Sequence, residues 1–159
     1  RDYIITEKPK YNDISKNAID IRFFTTSYWT GKNVQSKQSD AGLYKVSSPA
    51  LTIVDLINHQ TKLGGISRMF SVIEELSEEL KEPDLVELLN WYPQKSTLQR
   101  FGLLLEEIGS KQEFQELIFQ KLKRTNFFPV LLSPKSNEKP GAVNNRWKVD
   151  VNVKLENDL

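Results

Sequence analysis

Carboxylates are the groups in this sequence that most resemble metal or acid–base chemistry, and they gather at Glu74, Glu75, Glu78, Glu79 and Glu82. Spacings of one and four place them along one helix face, where like charges are solvated rather than converged on a cation. A Mg²⁺-dependent nuclease needs an acid near the start of one strand and an acidic-x-Lys pair on the next. Asp150-Val151-Asn152 has the wrong third residue, Glu7-Lys8 lacks the spacer, and Asp20-Ile21-Arg22 has arginine where a lysine base would stand. An enzyme would have to rest on Asp20, Asp150 and Arg146. The single histidine, His59, follows Asn58 at a helix end, where an imidazole bonds the last carbonyls. Gly64-Gly65 alone reads as a helix–helix turn rather than a phosphate cradle. Tyr28-Trp29 and Trp91-Tyr92 resemble base-stacking platforms but lack interleaved cations, so they read as core-edge packing or a partner contact. No GxGxxG, Walker A, GxSxG or HExxH string occurs. The residues therefore name no catalytic set, no metal and no cofactor.

The elements that would position these groups fall into three regions. Residues 1–48 read as strands and loops. Tyr3 to Thr6 is β-branched and aromatic, Ala18 to Thr25 alternates, and Leu43 to Ser47 is a shorter candidate. Thr30 to Gly42 is polar, with turn signals at Gly31-Lys32-Asn33 and Asp40-Ala41-Gly42. Residues 48–125 carry helical periods. Ser48 is placed to N-cap a helix from Pro49 to about His59. Ser67 is expected to cap a second, with Met69, Phe70, Ile73, Leu76 and Leu80 inward. Pro83 and Asp84 restart a third, Ser96 caps a fourth that Gly109 ends, and Ser110 caps a fifth. Val130 to Leu132 lies between Pro129 and Pro134. Trp147, Val149, Val151 and Val153 then alternate with Lys148, Asp150, Asn152 and Lys154, predicting a strand with its indole and valines inward. Strands, then helices, then strands predict an α+β fold. In it, a mixed sheet from the N- and C-terminal strands packs against a central cluster of about five helices.

Composition bounds the function. The 159 residues fit one domain, residues 1–159. Twenty-two basic and 21 acidic residues leave a formal charge of +1, so no overall field draws the chain to nucleic acid or an anionic membrane. Residues 49–125 are net −3, and Lys121, Lys123 and Arg124 form the one tight basic cluster. The lack of cysteine excludes disulfides, thiolate metal sites and a cysteine nucleophile, and it fits a reducing compartment such as the cytoplasm. No apolar run approaches the ~18 residues of a membrane span. The chain opens on a strand-like run, and its only methionine, Met69, lies in a helical pattern. It is therefore expected to be a fragment lacking an N-terminal part.

Several strings, in order, resemble one family. They are Tyr3-Ile4-Ile5-Thr6, Ile19-Asp20-Ile21-Arg22-Phe23-Phe24, the run Ser47 to Leu56, Gly64-Gly65-Ile66, Gln99 to Glu106, Asn145-Arg146-Trp147-Lys148-Val149, Asn152 and Leu155 to Leu159. Together they resemble, over nearly the whole chain, the C-terminal domain of AbiEi-type antitoxins of type IV toxin–antitoxin, abortive-infection systems. The chain departs from the family at Ala50, where Glu is usual, and at Phe101, where Leu is frequent. The resemblance implies a bacterial, cytoplasmic phage-defence protein that antagonises a nucleotidyltransferase-like toxin without requiring a stable complex. It also implies autoregulation of transcription through operator DNA, bound by a winged helix-turn-helix that this sequence lacks. Homodimerisation is a further expectation. A degenerate nuclease-like enzyme and a pure dimerisation module are the alternatives. The matched positions to follow, structural or functional, are Ser48, Pro49, Thr52, Asp55, Gln99, Arg100, Gly102, Arg146, Trp147 and Asn152. Asp55 is expected to bond a strand backbone or Arg100, Gln99 and Arg100 to point outward, and Gly102 to admit a neighbouring element.

Overall fold

The structure, a computed structural model, describes residues 2–6, 14–16, 19–25, 31–40, 42–109, 111–134 and 143–155. The fold is α+β. The chain divides into two compact units, residues 1–32 and 33–159. In the first, β1 (Asp2–Thr6), β2 (Ile14–Lys16) and β3 (Ile19–Thr25) form a sheet of order β1-β3-β2. β1 runs parallel to β3 and β2 antiparallel to it. Tyr28-Trp29, Ser110 and Leu155-to-Leu159 beyond its first residue lie outside the described residues.

The second unit opens with a hairpin, β4 (Val34–Ser39) and β5 (Gly42–Ser47), in which Ser39 pairs with Gly42 and Val34 with Ser47. The polar stretch Thr30 to Gly42 thus holds a strand that periodicity does not reveal. In Val-Gln-Ser-Lys-Gln-Ser only Val34 is apolar, so no alternation marks it, and the pairing with β5 supplies the order. Five helices follow: α1 (Pro49–Asn58), α2 (Ile66–Glu78), α3 (Glu82–Trp91), α4 (Lys95–Ile108) and α5 (Gln112–Lys123). Two short parallel strands, β6 (Val130–Leu131) and β7 (Val149–Asp150), complete the unit. The strands of the described residues thus pair as three small sheets.

α1 starts as its sequence dictates, with Ser48 Oγ accepting from the Leu51 N–H and Pro49 in the first turn. Gly109 ends α4 in the left-handed region at φ 77°. The other caps differ from expectation. Gly65 rather than Ser67 precedes α2, Gln94 rather than Ser96 precedes α4, and Lys111 at φ 59° precedes α5. Ser67 donates its hydroxyl instead to the Lys154 carbonyl, 2.5 Å away.

α1 and α4 form the middle of the core. Ala50, Leu51, Ile53, Val54, Leu56 and Ile57 of α1 are buried, as are Leu98, Phe101, Leu103, Leu104 and Leu105 of α4. The largest buried side chain, Trp147, is 0% exposed. A Cβ placed on Gly102 would stand 2.2 Å from its Cζ3, so the indole lies directly on bare helix backbone. Phe119 of α5 meets the ring edge-on at 5.6 Å.

The strand expected through Val153 is shorter and ends in a different register. Trp147 sits in a turn closed by the Lys148 N–H on the Asn145 carbonyl, and Lys148 takes φ 56°. Left-handed backbone there breaks the alternation. Trp147 and Val149 are inward as expected, but Val151 is 37% exposed and Asn152 is buried. Asn152 replaces valine because its amide continues the ladder. Nδ2 donates to the Ser133 carbonyl and Oδ1 accepts from the Ser133 N–H, both at 2.9 Å. Asn145 does the same at the other end, accepting from Val149 N–H at 3.1 Å and donating to its carbonyl at 2.7 Å.

Trp147→Ala should destabilise the fold by about 3–5 kcal/mol, as for other fully buried large rings. Gly102→Ala should cost about 1–3 kcal/mol by overpacking. Combining Gly102→Ala with Trp147→Leu should cost less than the two single losses added, because the smaller side chain admits the new methyl group. Strict additivity in urea denaturation would show that the two residues do not share this contact.

Candidate functional site

Most of the sequence-chosen residues gather in two places. The first is the N-terminus of α1, where a buried asparagine that the sequence reads only as a turn residue holds three elements together. Asn33 adopts φ 57°, a conformation asparagine tolerates. Its N–H donates to Glu87 Oε1 at 2.7 Å, and its Nδ2 donates to both the carbonyl and the carboxylate of Asp84 at 2.6 Å. Its Oδ1 accepts from the Trp91 indole N–H at 2.7 Å, and its carbonyl accepts from the Ser48 N–H at 2.8 Å. Asp84 then reaches the free end of α1, where Oδ2 accepts from the Ala50 N–H at 3.3 Å. That carboxylate stands at the positive end of the helix dipole. A glutamate at position 50 would put its charge in the same neighbourhood; here α3 supplies it.

Ser47, Pro49 and Thr52 open onto a cleft of about 510 Å³ lined also by Gln35, Val46, Leu76, Glu79, Lys81 and Asp84. Thr52 is fixed by bonds to the Ser47 hydroxyl at 2.7 Å and the Ser48 carbonyl at 2.8 Å. The cleft offers a mixed-charge rim and hydroxyl groups, a surface suited to hydrogen-bonded recognition. Among the described residues, no three His, Asp or Glu side chains converge as a metal site would require.

The second place is the α4–α5–β7 corner. Gln99 does not point outward. It is buried, and its Nε2 donates to the Trp147 carbonyl at 2.8 Å and the Phe128 carbonyl at 2.9 Å. Arg100 is half-buried, with Nε on the Leu131 carbonyl at 2.8 Å. Backbone at a two-residue ladder leaves carbonyls without strand partners, and these helix side chains satisfy them. Arg146 packs over the rings of Phe119 and Trp147, 4.8 and 4.7 Å from their centroids, with Glu116 as its ion-pair partner and Glu106 Oε1 3.9 Å from its Nε. Arg146 and Trp147 precede the strand rather than lying in it. All these roles position the fold.

Asp55 stands apart from both places. It makes no bond to Arg100 or to any strand among the described residues; Arg100 is engaged by Leu131. Burial alone lifts the half-buried Asp55 carboxyl from 3.8 to about 7. One turn on, His59 caps α1 through its N–H on the Asp55 carbonyl at 2.9 Å. Burial first, and the Lys62 charge second, hold the imidazole below its ordinary 6.5.

Two predictions follow from these environments. Asn33→Gly keeps the backbone conformation but strands the Trp91 and Asp84 partners, and should cost about 2–4 kcal/mol, since each orphaned buried group costs ~1–3. A loss under about 0.5 kcal/mol in thermal or urea unfolding would show that the network does not hold the elements. The second prediction concerns pH. Between 3.8 and about 7 the folded state keeps the Asp55 proton that the unfolded chain releases, so this group's contribution falls as pH rises through that window. His59 acts oppositely: its contribution is present above 6.5 and is lost as pH falls toward the lower folded value. Asp55→Asn removes only the first effect. Relative to that variant, wild type should weaken steadily from about pH 4 to about pH 7 and level off above it; parallel urea midpoints would show that the Asp55 carboxylate is not desolvated.

Comparison with known proteins adds one finding. Residues 29–107 match the family model of the AbiEi antitoxin C-terminal domain. That segment runs through β4, β5 and α1 to α4, and includes the Asn33 network and its cleft. It is narrower than the resemblance read from the sequence, because the strings at Tyr3, Ile19 and Asn145 fall outside it. No curated protein and no solved structure matches the chain. No helix of the described residues is long and apolar enough to cross a membrane.

Proposed function

Since this chain belongs, through residues 29–107, to the AbiEi antitoxin C-terminal domain family, we propose that it is the toxin-countering domain of a type IV toxin–antitoxin system, opposing a nucleotidyltransferase-like toxin. The family match is the observation that carries this reading. The antagonism requires no catalysis by this chain. Its action belongs to the bacterial cytoplasm and to abortive infection of phage-infected cells. Operator DNA and autoregulation are assigned to a winged helix-turn-helix outside this sequence, because operator recognition needs a reading helix and a cluster of phosphate-contacting cations. The residues most suited to the antagonism are the exposed Glu79 and Lys81 at the mouth of the α1–α2–α3 cleft. Gln99, Gly102 and Trp147 support the fold that presents them.

Co-expressing this chain with its cognate toxin should restore growth, and charge reversal at Lys81 and Glu79 should weaken rescue while leaving the melting temperature within a few degrees. Labelled operator titrated at ~150 mM salt should show only weak, sequence-indifferent binding. Failure to rescue would remove the antitoxin assignment from this domain, and tight sequence-selective binding would relocate the DNA-reading surface to it.

A further inference from the structure

On another face of the second unit, the turn between α1 and α2 forms a cleft of about 290 Å³ lined by Gln60, Thr61, Gly64, Gly65, Ile66, Ser67, Ser133 and Val153. Gly64 and Gly65 hold φ of 97° and 100°, a backbone that other residues rarely adopt. The turn is closed by the Leu63 and Gly65 N–H groups on the Gln60 carbonyl, at 3.1 and 2.7 Å. It delivers the start of a 13-residue helix, α2, to the cleft with no side chain capping it. Among the described residues the N–H groups of Ile66, Ser67 and Arg68 meet no acceptor, because the N-cap residue, Gly65, has no side chain to offer one. Arg68 folds back over Gly64. A Cβ on that glycine would stand 2.9 Å from the arginine Cδ and 3.5 Å from its Nη1. Free amides and the positive end of a helix dipole thus meet at the cleft, with the Arg68 side chain against Gly64 of its lining, which favours an oxyanion.

A second observation narrows the ligand. Gln60 is 2% exposed, and its Nε2 donates to the Leu132 carbonyl at 3.1 Å. That bond fixes the orientation of the amide and leaves Oε1 as a buried acceptor with no partner. A buried acceptor beside an anion-binding helix end favours a ligand that is anionic and also donates a hydrogen bond. A phosphate group that keeps one proton has both properties. Sulfate is anionic but carries no proton at neutral pH.

We propose that the cleft formed by Gln60, Gly64-Gly65 and the N-terminus of α2 binds a protonated phosphate group, with its charged oxygens on the α2 amides and Arg68 and its P–OH on Gln60 Oε1. This site is separate from the α1–α2–α3 cleft and does not depend on the antitoxin reading. Two sources share the chemistry. Inorganic phosphate retains a proton throughout the neutral range. A monoester, with its second pKa near ~6, retains one only at lower pH.

The test is calorimetric titration of the 159-residue chain with inorganic phosphate, sulfate and glycerol phosphate. Inorganic phosphate should saturate one site below about 10 mM. Sulfate should bind at least about tenfold more weakly, because it sets a bare oxygen against a buried acceptor. Glycerol phosphate should bind at about pH 5.5 and weaken toward pH 7.5 if the site takes monoesters; no binding at either pH would assign it to inorganic phosphate. Arg68→Gln alters only an exposed side chain and should weaken phosphate by about three- to tenfold, the loss of one charge-assisted contact. Gln60→Met should bring the phosphate-to-sulfate ratio close to one. Should that variant fail to fold, the wild-type ratio and Arg68→Gln still decide. No saturable phosphate binding, sulfate within about threefold of phosphate, or an unaffected Arg68→Gln would each overturn the proposal.

Discussion

The contact between the Trp147 indole and the bare backbone at Gly102 is the constraint on which the second unit depends. A ring cannot approach a helix axis this closely across any other residue, since a single methyl group would stand 2.2 Å from a ring carbon. Seating the ring fixes the turn from Asn145 to Lys148, which fixes where β7 begins. It also sets the gap between α4 and α5, because Phe119 meets the same ring edge-on. Arg146, the preceding residue, covers both rings with its guanidinium and reaches back to carboxylates on α4 and α5. One close packing event thereby docks the end of the chain onto the helix pair in its middle.

The polar interior is solved chiefly with neutral amides. Asn33, Gln99, Asn145 and Asn152 each present donor and acceptor together or donate twice, and each binds backbone that regular structure leaves unsatisfied. Amide groups carry no desolvated charge, so among the described residues the domain joins its hairpin, helices and final strands without burying ion pairs. The exceptions are Asp55 and His59 on α1, whose ionisation is opposed by burial and whose contributions to stability run in opposite directions with pH. The family match covers the segment that includes the Asn33 junction, while the indole contact joins that segment to chain beyond it.

Much of this architecture is legible in the sequence where one residue has one local task. Ser48-Pro49 starts a helix, Gly109 stops one, and a glycine beside Phe101 admits a neighbour. What escapes is decided by partners distant in the chain. β4 is polar on both faces and is ordered by its pairing. Gln99 is drawn inward by carbonyls 29 and 48 positions away. The alternation from Trp147 to Val153 fails at Lys148, where positive φ resets the direction of the side chains, and Asn152 gains more from the Ser133 backbone than valine would from the core. Asn33 carries turn chemistry in its type, but nothing local shows that its turn is buried among Asp84, Glu87 and Trp91.

The chain from Asn126 to Ser133 has a further property. Its carbonyls at 126, 127, 128, 131, 132 and 133 accept from Lys95, Lys148, Gln99, Arg100, Gln60 and Asn152 in turn, all through side chains. A short strand flanked by open backbone ordinarily invites a strand from another molecule to add to it. Here the acceptors that an incoming strand would use are already occupied, and each would have to be stripped of a fitted donor before pairing could begin. Strand addition along this segment is thus opposed by bonds already made, even though Phe128, 73% exposed, stands within it.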